Sequence, residues 1–174
     1  MKLRAARAAA LLAAVFLSAC ASLPGATDEL GAPLSGKLSV KVESEPPRNV
    51  SAAFELRGNP ETGQLDLTSP LGSVMARAHW QPGEVLLSTP DTKALYSDMG
   101  ALTRDVLGES LPVAALFDWL RGRPWPDAPS QALASEPGFE QLGWTVSLAK
   151  FSEGWITARR AEAPVVTVRA RLEQ

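Results

Sequence analysis

The chain of 174 residues holds one cysteine, one histidine and one tyrosine. A lone thiol closes no intramolecular disulfide. One imidazole and one thiol are too few for a zinc site, and no Asp-rich loop has the spacing calcium requires, so no metal is expected. Nucleophilic catalysis would need His79 as base, but His79 falls on the polar side of an alternating strand, where a solvent-facing imidazole is the ordinary case. No Gly-rich phosphate loop precedes a helix either. No catalytic residue, cofactor or ATP-driven step is therefore assigned, and the chain does not read as an enzyme. Positive charge is also not in excess, since 17 Lys and Arg face 19 Asp and Glu. Residues 1–19 contain Lys2, Arg4 and Arg7 and no acid, so the rest has 14 cations against 19 acids, a net charge of −5 that excludes a nucleic-acid partner held by phosphate contacts. No apolar run reaches the ~20 residues that a bilayer-spanning helix needs.

What the N-terminus does contain is three cations followed by the apolar stretch Ala8–Leu17, the layout of a secretory signal over residues 1–19. Cys20 follows Leu17-Ser18-Ala19, and this is similar to the lipobox of bacterial lipoproteins, in which the cysteine becomes the first mature residue and carries a diacylglyceryl thioether. The alternative is an ordinary signal with an incidental cysteine. Two or three acyl chains, at ~0.8 kcal/mol per buried CH2, would hold the protein on a membrane almost irreversibly. In such lipoproteins an Asp after the cysteine favours the inner membrane; Ala21 and Ser22 follow here, which points to the periplasmic face of the outer membrane.

Residues 20–35, punctuated by Pro24, Gly25, Gly31 and Pro33, read as a lipidated N-terminus and flexible tether, and residues 36–174 as one domain. From Gly36, Leu38, Val40 and Val42 alternate with Lys37, Ser39, Lys41 and Glu43, a half-buried strand. Further strands follow at Val50–Leu56, Leu65–Leu67, Val74–Trp80, Glu84–Thr89 and Lys93–Ser97, separated by Pro- and Gly-containing turns. The period then becomes helical. Asp98 caps a helix with Met99, Leu102, Val106 and Leu107 on one stripe and Gly108 at its end. Pro112 begins a second, in which Val113, Leu116, Phe117 and Leu120 share a face. Residues 124–138 read as irregular, with a short strand near Gln131–Ala134. Strands resume around Trp144–Leu148, Trp155–Arg160 and Val166–Leu172. At least eight strands around two or three short helices imply a mainly β fold, an antiparallel sheet curled over its helices.

Apolar and aromatic surface is plentiful, including Trp80, Trp119, Trp125, Trp144 and Trp155. These residues either fill an ordinary core or in part line a cavity for an apolar ligand, as a partly open barrel allows. Pro70-Leu71-Gly72 is a turn whose leucine either folds back on the sheet or stands at the loop tip, where burial in lipid would recover ~1.5–3 kcal/mol.

Four features together resemble the LolB family of outer-membrane lipoproteins. They are the lipobox ending at Cys20, the strand Gly36-Lys37-Leu38-Ser39-Val40, the segment Leu65-Asp66-Leu67-Thr68-Ser69-Pro70-Leu71-Gly72-Ser73, and Leu111-Pro112-Val113 continuing to Trp119-Leu120-Arg121-Gly122-Arg123-Pro124. The resemblance implies an incomplete antiparallel barrel whose concave face is covered by helices. It implies a monomer that accepts acylated lipoproteins from the periplasmic carrier LolA and inserts them into outer-membrane lipid without ATP. It assigns Pro70, Leu71 and Gly72 to the membrane-inserting loop. The acyl-chain cavity expected with that fold is lined by Leu38, Val40, Phe54, Leu65, Leu67, Leu116, Phe117 and Trp144. The short, proline-broken segment 21–35 implies that the family's N-terminal helix is reduced or absent. The rival reading is a non-catalytic scaffold or accessory lipoprotein of outer-membrane assembly, whose core would be filled.

Overall fold

A computed structural model describes Leu30 and residues 32–173. The signal segment, Cys20, and all of the tether before Leu30 lie outside the described residues, as does any helix there. Eleven strands alternate apolar and polar residues and pair antiparallel: β1 (Leu34–Val42), β2 (Arg48–Gly58), β3 (Gly63–Thr68), β4 (Val74–Gln81), β5 (Glu84–Ser88), β6 (Lys93–Tyr96), β7 (Ser130–Ala132), β8 (Gly138–Gln141), β9 (Trp144–Ser147), β10 (Trp155–Arg160) and β11 (Val166–Leu172). The sheet order is β6-β5-β4-β3-β2-β1-β11-β10-β9-β8-β7. Hairpins build each half, and β1 joins them by pairing with β2 on one side and β11 on the other, Leu38 lying opposite both Ala52 and Ala170. β6 and β7 are separate edges, so the barrel is open.

Two helices fill the concavity, α1 (Met99–Leu107) and α2 (Val113–Trp119). Asp98, in extended conformation, accepts the Ala101 N–H at 2.7 Å and so satisfies one of the unpaired donors at the start of α1. At the other end Gly108 takes φ +79° and donates its N–H to Arg104 O, a left-handed cap that a Cβ would strain. Arg48 of β2 donates to the last carbonyls, Asp105 O and Val106 O, placing a cation at the negative end of the helix dipole.

The interior divides in two. One cluster, around Val42, Phe139, Trp144, Val146, Val166 and Trp119, lies under β8–β11 and the far side of α2. The other, around Phe54, Leu56, Trp80, Val85, Leu102 and Phe117, lies under β2–β5 and both helices.

Several expectations shift. Leu34 and Ser35, read as the end of the tether, are the start of β1. Pro112 caps α2 from outside, and the helix starts at Val113. The short strand near Gln131 is Ser130–Ala132, and a further strand, β8, lies in a stretch from which no strand was expected. The inward positions of β8 are Phe139 and Gln141, so a buried amide interrupts the apolar alternation that marks other strands.

Candidate functional site: an apolar cavity beside an exposed loop

A cavity of about 270 Å³ lies between the inner faces of β1–β5 and the two helices. Its sheet wall includes Leu38 and Val40 of β1, Phe54 of β2, Leu65 and Leu67 of β3, and Ala76 and Ala78 of β4. Its helical wall includes Met99, Leu102 and Val106 of α1 and Val113, Leu116, Phe117 and Leu120 of α2. The size of the side chains makes the space. On β4 the inward series runs from Ala76 and Ala78 to Trp80, and only the indole fills the gap to α2, meeting Phe117 edge-on with ring centroids 5.8 Å apart.

α2 is held from its other side. Ala115 and Trp119 are fully buried in the far cluster, Trp119 lying 6.0 Å from Trp144 and 6.3 Å from Phe139. The helix has seven residues, so its two sides serve different clusters. Val113, Leu116 and Leu120 are left half-buried along the cavity.

The cavity offers no free hydrogen-bonding group from its side chains. Its two polar lining residues are Thr89 and Thr103. Thr103 Oγ1 donates to Gly100 O and accepts the Leu111 N–H at 3.0 Å, while Thr89 Oγ1 accepts the Thr92 N–H at 3.1 Å. An entering polar group would lose water without gaining a partner, at a cost of a few kcal/mol, whereas a hydrocarbon chain would lose nothing.

Of the eight residues expected along such a cavity, Leu38, Val40, Phe54, Leu65, Leu67, Leu116 and Phe117 line it. Trp144 does not. It is 3% exposed and packs against Trp119 in the other cluster, because β9 lies in the half of the sheet that covers the far side of α2. The α1 residues Met99, Leu102 and Val106 belong to the stripe that marked that helix, but the stripe alone did not distinguish a cavity wall from a filled core.

Between β3 and β4 the chain makes a tight turn. The Gly72 N–H reaches Ser69 O at 2.9 Å and the Ser69 N–H reaches Ser73 O at 2.8 Å. Gly72 adopts φ +82°, which suits glycine. Leu71 stands at the tip, 94% exposed, and does not fold back on the sheet. Val74 and Met75 continue the exposed apolar surface where the β3–β4 register shifts beside Thr68. Ala76, two residues beyond Val74, already lines the cavity, so the exposed loop leads into the cavity wall.

His79 is exposed on the outer face, opposite Gln64 and Leu86. Among the described residues no group of three or more His, Cys, Asp or Glu is placed to hold a metal, and no helix is long and apolar enough to cross a membrane.

These features define an open-barrel protein with an apolar cavity roofed by short helices. The family model described as outer membrane lipoprotein LolB matches residues 33–170. Outer-membrane lipoprotein LolB of Bordetella petrii is 36% identical over 160 residues, covering 84% of this chain and 80% of the relative. The Bordetella pertussis protein of that name is 35% identical over 153 residues, 81% of this chain and 76% of the relative. That of Ralstonia nicotianae is 30% identical over 157 residues, 82% and 75% respectively. The chain belongs to the LolB family of outer-membrane lipoproteins.

Proposed function

We propose that this protein receives acylated lipoproteins from the periplasmic carrier LolA and delivers them to the outer membrane. Residues 1–19 act as a signal peptide, and acyl chains on Cys20 tether the domain to the periplasmic face. The cargo's acyl chains enter the cavity between β1–β5 and the helices, and Leu71 contacts the receiving bilayer. The observation that carries this reading is the cavity lining, in which both hydroxyls are already bonded and every other side chain is apolar, beside a loop with a fully presented leucine.

No covalent step is needed. Each CH2 buried shifts the balance by up to ~0.8 kcal/mol, so cargo moves downhill if the cavity holds acyl chains more tightly than the carrier and the bilayer holds them more tightly still. ATP has no place in such a sequence.

The test is cargo transfer. The mature chain without its acyl groups is mixed with a carrier loaded with an acylated lipoprotein, and a pull-down reports which protein holds the cargo. Movement to this protein without ATP is expected. Cargo that stays on the carrier while this protein is folded would instead favour the scaffold reading.

A further inference from the structure

β1, β11 and β10 are neighbours in the middle of the sheet and together contain six cations and no Asp or Glu. In a chain with more acids than bases this is a marked segregation of charge. Arg160 turns inward and pairs with Glu109 at 2.7 Å. The other five, Lys37, Lys41, Arg159, Arg169 and Arg171, are exposed on the outer face. Among the described residues only Lys41 of these has a carboxylate partner, Glu43 at the strand end.

The arrangement is unfavourable by itself. Lys37 lies directly opposite Arg171, and Arg169 is two residues from Arg171 on the same face. Like charges opposite one another across a strand pair destabilise it. The nearby acids form no ion pair with them: Glu55 pairs with Arg57, and the Glu173 carboxylate accepts from the Ser35 hydroxyl. At one end of the cationic face Trp155 is 38% exposed opposite Arg171, whose guanidinium lies 5.6 Å from its ring centroid.

We infer that the outer face of β1, β10 and β11 docks on the anionic phosphate headgroups of a bilayer, with Trp155 at the level of the headgroups. The inference rests on the reading of the chain as a membrane-tethered lipoprotein. Clustered Lys and Arg beside an amphipathic indole suit a negatively charged lipid surface, where each cation contributes about a fivefold gain in binding. Thirteen residues, 21–33, separate Cys20 from β1, and the fourteen steps from Cys20 to Leu34 span at most ~50 Å, so an anchor at Cys20 keeps this face within reach of the membrane.

The experiment uses the lipidated mature protein in vesicles of phosphatidylglycerol or phosphatidylcholine with brominated acyl chains, and reads quenching of Trp155 against a Trp155→Phe control. Quenching in phosphatidylglycerol but not phosphatidylcholine, lost at high salt, is expected. A Lys37→Gln, Arg169→Gln, Arg171→Gln variant changes exposed side chains only. It should lower the ratio of docked to undocked domain by on the order of a hundredfold. Equal quenching in both lipids, or an unchanged triple variant, would overturn the inference. Protein that floats with the vesicles but shows no quenching, while an acidic carrier shields the same face, would assign the surface to a protein partner. Protein that floats with neither vesicle would remove the membrane-tethered reading and this inference with it.

Discussion

The indole N–H of Trp119 donates to Gln141 Oε1 at 2.7 Å, inside a core where both residues are at most 2% exposed. The same oxygen accepts the Trp125 N–H at 2.9 Å, and the Gln141 Nε2 donates to Trp125 O and Ala128 O at 2.8 Å each. One amide thus uses all four of its hydrogen bonds to tie α2 and the irregular 124–129 segment to β8.

Gln141→Leu removes that hub and leaves a buried indole N–H, the Trp125 N–H and two carbonyls without it. Unsatisfied buried groups cost ~1–3 kcal/mol each, partly relieved where Trp125 reaches water, so a loss of about 3 kcal/mol is expected. Urea unfolding of the variant checks this. A loss below about 1 kcal/mol would mean that the segment holds its position without the amide.

Leu71→Glu should leave stability unchanged, because the side chain is almost wholly in solvent. Cargo should still move from the carrier, while insertion into liposomes falls sharply. Unimpaired insertion would take the loop out of the mechanism.

Ala76→Phe should occupy cavity space beside Leu67 without disturbing the fully buried layer, since Ala76 is only partly buried. Uptake of a fluorescent fatty acid is expected to weaken ~tenfold or more, a difference of 1.4 kcal/mol, with little change in unfolding. Undiminished uptake would place the acyl site elsewhere.

Asp98 carries a pH signature. The Ala101 N–H, followed by the Ser97 hydroxyl, binds its ionised carboxylate and holds its pKa below the ordinary 3.8. A group lowered in the folded state stabilises it above the unfolded pKa, and that contribution disappears as pH falls from about 3.8 through the lowered folded value. Asp98→Asn keeps an acceptor for the cap but does not titrate, so stability measured across this acidic window should fall less steeply than in the natural chain.

His79→Ala should leave transfer intact, since the imidazole is exposed on the outer face away from the cavity lining. Transfer assays with the variant check this, and a loss of transfer would reopen a chemical role for His79.

Much of the fold was legible from period alone. Alternation at Leu38, Val40 and Val42, or at Val166, Val168 and Ala170, can satisfy only a strand with one buried face. Asp98 and Gly108 bracket α1 because their chemistry suits opposite helix ends. β8 carries no legible alternation, because half of its inward pattern is a glutamine whose partners lie 13 to 22 residues away. The strand pattern around Trp144 shows that one face is buried, but not whether a cavity or the layer around Trp119 lies against that face.

The amino-acid order by itself determined the antiparallel strands, the two caps of α1 and the tight turn at Pro70-Leu71-Gly72, since each follows from local sterics and hydrogen bonding. Tertiary structure decided where the apolar faces meet tightly and where they leave a gap. Trp119 anchors α2 on one side and Trp80 meets Phe117 on the other, while Ala76 and Ala78 are too short to reach the helices. It also brought the cations of β1, β10 and β11, more than a hundred residues apart in the chain, onto one outer face. Periodicity reports which side of an element avoids water, but packing between distant elements depends on side-chain volume and register, which are defined only once the sheet has closed over the helices.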